Sequence, residues 1–215
     1  MEIIKARELN VLDNIKDDIS FSITLGEIAC ICGEGGEKDI IFDYLTFKKK
    51  AKLNTLFYNN CDYSLFQKND VTELLVSDLK VVSSFDNLFD FLSIRDNILA
   101  PLYVNRKVTD YEYLDNLLKN LDYNVALDEI KKLSNLDRVK TEIIRALMSK
   151  PFVIVLNNVD KDLTKEEQTN LSLFITSINN IYHTTFVIFT GSFDFSRIAS
   201  RRIYFESNSF VEFSE

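Results

Sequence analysis

The chain has no apolar run near the roughly 20 residues needed to cross a bilayer, and its N-terminus has no signal-peptide pattern. Any membrane association is therefore expected to come through a partner. It is also short of positive charge: 25 Lys and Arg stand against 33 Asp and Glu, a formal net charge of -8. That balance excludes a nucleic-acid backbone as the expected partner, because such binding relies on clustered cations displacing counterions. The single basic run, Lys48, Lys49, Lys50 and Lys52, reads as a solvated turn rather than a phosphate site. Cysteine is scarce as well. Cys30, Cys32 and Cys61 suit a reducing compartment, and Cys30 and Cys32 share one face of an expected strand with no second ligand pair at zinc spacing. His183 is the only histidine and is expected at a surface or helix end. Of only five glycines, three crowd into residues 33 to 36.

What is present is enough for one compact domain, since 46% of the 215 residues are hydrophobic. Ile19 to Ile23, Ile28 to Cys32 and Thr55 to Tyr58 read as short strands. Thr109 and Glu112 have capping-box spacing ahead of Leu114, Leu117, Leu118 and Leu121. A further helix carries Val139, Ile143, Ala146 and Leu147 on one face and stops before Pro151. Phe152 to Leu156 and Thr185 to Phe189 are continuous apolar runs, the form of parallel strands covered on both faces, with a helix from about Lys165 to Ile178 between them. Strands separated by helices indicate an α/β fold with a parallel core sheet. Residues 86 to 150 form an expected helical lobe within one domain spanning 1 to 215.

Several segments, taken in order, resemble the ATP-binding subunits of ABC transporters. Leu25 to Gly33 resembles the turn and strand that lead into a phosphate-binding loop. Asn87 to Leu102 resembles, without a gap, the stretch following the Q-loop in the ATPases of the lipoprotein-release and macrolide-export type. Leu133-Ser134 reaches Arg145-Ala146-Leu147 at the family's separation between its LSGGQ signature and the end of the following helix, and Pro151 opens the strand at the Walker B place. The resemblance spans nearly the whole chain and rests on the ordered set, because each piece alone is weak. It implies a P-loop NTPase-like domain with a small N-terminal β subdomain.

At each of the family's nucleotide positions the residue differs. A working phosphate loop uses glycines for close approach, a lysine for the β and γ phosphates and a Ser or Thr hydroxyl for magnesium. Here the loop reads Gly33-Glu34-Gly35-Gly36-Glu37-Lys38-Asp39-Ile40. Placing Lys38 at the lysine requires deleting one glycine and leaves Asp39 at the hydroxyl; placing it without a gap puts Asp39 at the lysine and Ile40 at the hydroxyl. Glu34, Glu37 and Asp39 also bring negative charge to an anion site. Asn157-Asn158 stands where the strand would end in Asp-Glu, and an amide neither takes up a proton nor balances a metal's charge. Ser84 replaces the Q-loop glutamine. Leu133-Ser134-Asn135-Leu136-Asp137 keeps the signature serine and lacks its glycines. Gly191 replaces the switch histidine. Asp160 and Asp162 fall beyond the strand end and read as a solvated loop.

These replacements lead to the expectation of a non-hydrolysing subunit that binds ATP and magnesium weakly or not at all. By the resemblance it docks on a membrane permease subunit at the cytoplasmic face and forms a homo- or heterodimer with an ABC ATPase. A weakly active or ATP-sensing ATPase and a protein-binding module unconnected with transport are the alternatives. The stretch from Phe85 to Tyr103 lies where the family receives the permease. There Phe85, Phe89 and Phe91 are either docking anchors or fillers of the lobe's core.

Overall fold

A computed structural model describes residues 1–10, 18–33, 36–83, 87–125, 130–206 and 209–214. Three strands open the chain, β1 (Glu2–Leu9), β2 (Ile19–Thr24) and β3 (Ile28–Cys32). The turn between β2 and β3 is made by Gly26 at a φ of 81°, a left-handed conformation that costs glycine little. Helix α1 (Glu37–Leu45), strands β4 (Leu56–Tyr58) and β5 (Cys61–Asp62), helix α2 (Lys68–Ser77) and strand β6 (Leu79–Val82) follow. Three helices then fill the expected lobe, α3 (Ile94–Val104), α4 (Tyr111–Asn120) and α5 (Asn135–Leu147). The chain closes with β7 (Val153–Asn157), α6 (Lys165–Tyr182), β8 (Thr185–Thr190), the one-turn α7 (Phe193–Ser196), β9 (Arg201–Glu206) and β10 (Ser209–Ser214).

The strands form two sheets, a four-stranded one in the order β2-β1-β4-β5 and a six-stranded one in the order β10-β9-β3-β8-β7-β6. In the larger sheet every pairing is parallel except β9 with β10. The continuous apolar runs predicted this. With no polar alternation, β3, β7 and β8 bury both faces. Odd and even residues divide between two cores, as strand geometry requires. Cys30, Ile154, Leu156, Phe186 and Ile188 face α3, α5 and α6, while Ile31, Val153, Val155, Val187 and Phe189 face α1 and the four-stranded sheet. Lobe residues Ile98, Leu114 and Ile143 share the first of these cores with the sheet, so the lobe is packed into the domain. Side chains such as Phe186 and Phe189, with no exposed surface, each contribute about 1.5 to 3 kcal/mol by burial.

Two local expectations change. Helix α4 is capped by Asp110, whose carboxylate accepts the Tyr113 N-H at 2.9 Å, so the capping residue is Asp110 and not Thr109. Helix α6 runs on to Tyr182, beyond Ile178, and ends at exposed His183 in the left-handed conformation, the helix-end place expected of it. Cys30 and Cys32 are buried, and no cluster of metal-ligating side chains occurs among the described residues. No helix among them is long and apolar enough to cross a membrane.

Candidate functional site

The C-terminal ends of β3, β7 and β8 lie side by side, and α1 leaves from the end of β3. This is the crevice where open α/β sheets bind ligands. A cavity of about 490 Å³ opens there, lined by Gly33, Lys38, Asn158, Asp160, Lys161, Gln168, Gly191 and Ser192.

Helix α1 decides which loop residue enters the cavity. Lys38, Ile41, Phe42 and Leu45 are its buried stripe, at the i, i+3, i+4, i+7 spacing of one helical face. Ile41, Phe42 and Leu45 dock on the sheet, with the Phe42 ring edge-on to Phe189 at 5.4 Å. Lys38 is the first position of that stripe, so its side chain is drawn in at 8% exposure. Asp39, one residue round the helix, points outward with its side chain 58% exposed. Of the two registers open in the sequence, the structure therefore brings Lys38 rather than Asp39 to the site. The helical stripe was the signal that separates them. Gly36 is the N-cap of α1 and makes no side-chain cap bond. Gly33 is needed for close approach, because a Cβ there would lie 3.1 Å from both Cβ and the carbonyl oxygen of Phe205. Glu34 and Gly35 lie outside the described residues, as do Ser84 and Phe85.

The Lys38 ammonium has partners within the protein. Its Nζ donates to Asn158 Oδ1 at 3.2 Å and lies 3.5 Å from Asp39 Oδ1. Asn158 Nδ2 in turn donates to Asn157 Oδ1 at 3.0 Å, which links the lysine to both amides at the end of β7. Asn158 stands at a φ of 51°, a left-handed conformation that asparagine tolerates better than most residues, and its N-H donates to the Phe189 carbonyl at 2.8 Å. That turn folds the chain back over the end of β8.

The turn overturns the expectation that Asp160 belongs to a solvated loop. Asp160 is 3% exposed and its Oδ2 accepts from the Thr190 hydroxyl at 2.7 Å. Its Oδ1 is buried without a hydrogen-bond partner. Burial raises its carboxyl above the usual carboxylate range, and the Thr190 hydrogen bond and the Lys38 charge pull the other way. Asp162 is exposed, as expected. Sequence reasoning missed the role of Asp160 because its partner Thr190 comes from a different strand.

The other predicted residues divide. Gly191 lines the cavity and has open space around it. Ser134 is not among the cavity's lining residues. It is the exposed N-cap of α5, accepting from the Asp137 N-H at 3.1 Å, while neighbouring Asn135 donates to the Asp162 carbonyl at 3.4 Å. Phe89 and Phe91 are 46% and 82% exposed with ring centroids 5.7 Å apart. They do not fill the lobe's core. Fully buried Asn97 fixes the loop, with Oδ1 accepting the Phe89 N-H at 2.7 Å and Nδ2 donating to the Phe89 carbonyl at 3.0 Å.

A doubly covered parallel sheet, an N-terminal antiparallel sheet, a helical lobe and a glycine-bearing loop entering α1 together make the fold of ABC transporter ATP-binding cassettes, and the chain is similar in sequence to ATP-binding proteins of that class. It is 27% identical over 183 residues, 82% of this chain and 79% of the relative, to the lipoprotein-releasing system ATP-binding protein LolD of Buchnera aphidicola. Among solved structures it is similar to cbiO1 of Clostridium perfringens, part of the ABC transporter complex cbiONQ, with a TM-score of 0.86 and 20% identity over 99% of this chain and 88% of the other. The dimeric bacterial ABC transporter cassette MJ0796 matches with a TM-score of 0.78 and 18% identity over 99% of this chain and 98% of the other. No protein-family model matches the chain.

Proposed function

We propose that this chain is a non-hydrolysing subunit of an ABC-type membrane complex, held at the cytoplasmic face by a permease and paired with a second copy or with another ATPase subunit. The observation that carries the reading is the amide pair Asn157 and Asn158 at the end of β7, linked by hydrogen bonds to Lys38. Hydrolysis needs a group that accepts a proton from the attacking water, and an amide does not. Magnesium needs hard, preferably anionic oxygens. The one carboxylate among the described residues lining the cavity, Asp160, is turned to Thr190, so this donor set fits Mg-ATP poorly. A phosphate approaching Lys38 must displace Asn158 and stand near Asp39 and Asp160. Each like-charge contact at about 4 Å costs on the order of 4 kcal/mol at an effective dielectric of 20, before screening.

Docking is supported by the lobe's surface. Phe89 and Phe91 are exposed at 46% and 82% with their rings in contact, an aromatic pair suited to a protein interface. The dimer is reasoned from the cassette to which the chain is similar. A second reading, a weakly active or ATP-sensing subunit, draws on Lys38 facing a cavity that also contains Gly33 and Ser192.

Melting curves with and without millimolar Mg-ATP separate the two readings. The first expects no shift; a ligand at 100 times its dissociation constant would add about 2.7 kcal/mol, and a clear rise favours the second. Asn158→Glu alone is expected to release no phosphate above a matched control, and release would show that the rest of the site still binds nucleotide and metal, against the weak binding proposed here. Changing Phe89 and Phe91 to Ser is expected to leave folding intact, with stability within about 0.5 kcal/mol, while reducing co-purification with membranes. Unchanged recovery from membranes would reject docking through this face.

A further inference from the structure

A second cavity, of about 340 Å³, lies away from the first and shares no lining residue with it. Phe47, Lys49, Lys50, Ala51, Tyr63, Phe66, Lys68, Val71 and Thr72 surround it. It forms where the turn after α1 meets the segment entering α2. Three aromatic side chains line it with nearly parallel rings. Phe47 and Tyr63 stack at 4.3 Å and 12°, and Phe66 lies 5.7 Å from each, within 17° of parallel. Phe47 and Phe66 remain partly exposed, whereas Tyr63 is 4% exposed and its hydroxyl is buried without a hydrogen-bond partner. Phe47 also holds a φ of 60°, an outlier for a bulky residue that costs about 1 to 2 kcal/mol.

The lysines make this wall chemically distinct. Lys49, a lining residue, lies over the ring of Tyr44 at 5.0 Å, and its chain neighbour Lys48 lies over Phe42 at 4.8 Å. Lys50 and Lys68 add two more exposed lining lysines, and Lys52, exposed, follows in the same turn. None of these five lysines is ion-paired among the described residues, although the net charge of the chain is -8. Two nearby carboxylates are committed elsewhere. Asp62 accepts from Asn54 N and Ser64 N, and Asp70 accepts from Gln67 N.

We propose that this cavity binds a small organic anion with a flat apolar body, the rings of Phe47 and Phe66 receiving the flat face and Lys50 and Lys68 the charge. Its volume falls within the range of about 300 to 1,000 Å³ usual for small-molecule sites. The site turns the solvated lysine turn expected from sequence into one wall of a pocket whose other wall is supplied by α2.

Fluorescence titration of the full chain with 8-anilinonaphthalene-1-sulfonate tests the site. The double variant Lys50→Glu, Lys68→Glu is expected to bind the dye about tenfold more weakly, a change of about 1.4 kcal/mol. Lys161→Glu, at the other cavity, is expected to leave the affinity unchanged. The uncharged analogue N-phenyl-1-naphthylamine is expected to bind the parent protein about tenfold more weakly than the sulfonate. Circular dichroism and melting verify the folds. If the double reversal does not fold, Lys50→Gln with Lys68→Gln replaces it, with a loss of about threefold expected. The proposal is overturned if the parent protein does not bind the dye, if the lysine variants bind it undiminished, if Lys161→Glu weakens it equally, or if the uncharged analogue binds as well.

Discussion

Two cavities of this domain treat positive charge in opposite ways. Lys38 is drawn into the first by a helical stripe and answered there by Asn158, Asp39 and the nearby Asp160. In the second, Lys50 and Lys68 line a cavity that also has an aromatic wall, with no carboxylate paired to them among the described residues. A cation already bonded within the protein must give up that bond before it serves a ligand. A cation facing water gives up only hydration. The crevice at the ends of β3, β7 and β8 is thus the more self-contained of the two, and the site with unpaired lysines lies elsewhere.

Substitutions can break or sharpen that contrast. The largest effect is expected from Thr190→Val, which removes the donor to buried Asp160 and should cost about 2 to 3 kcal/mol in urea denaturation. A loss below about 0.5 kcal/mol would mean that the first cavity is not internally braced. Next comes the pH dependence that Asp160 brings. Because its carboxyl is raised in the fold, the native state holds this proton more tightly than the unfolded chain does. Stability from this group is therefore greatest below the ordinary Asp range and falls as pH rises through the raised value. Asp160→Asn should remove that fall, so its advantage over the parent protein grows toward neutral pH. Lys38→Met should lower stability by about 1 kcal/mol through the lost hydrogen bond and extend the fall to higher pH, since the lysine charge restrains Asp160. Parallel denaturation curves across pH for all three proteins would refute both expectations. The smallest effect is expected at the other cavity. Lys50→Glu should raise stability slightly at low salt by relieving repulsion among exposed lysines, and the gain should vanish near 1 M salt. A loss of stability there would show that Lys50 has a partner and would erase the contrast.

The fold was legible where one segment decides its own fate. Phe152 to Leu156 reads as a buried strand because no polar residue interrupts it, and the helix carrying Val139 and Ile143 reads from spacing alone. Legibility failed where neighbours compete or distant segments meet. Thr109 and Asp110 both offer a cap one residue apart, and the contest is settled by which oxygen reaches Tyr113 N. Asp160 resembles a loop residue until Thr190 arrives beside it. At the site, Lys38, Asn157 and Asn158 could be picked out as candidates in the sequence, yet the hydrogen bonds that join them could not. The lysine turn gave no hint of a pocket, because Phe66 and Lys68 complete it from further along the chain.

One further consequence follows from the position of β3 in the middle of the larger sheet. Its partners are β8 and β9, and the turn ahead of it is fastened by the Gly26 N-H to Thr185 Oγ1, 159 residues away. On a ribosome adding about 5 to 20 residues per second, that strand waits roughly 10 to 30 seconds for its neighbours. Throughout that interval Ile28 to Cys32, apolar on both faces, has neither edge paired within its final sheet. A strand buried along its whole length in the finished domain is thus left vulnerable during synthesis, when other chains compete for the same edges.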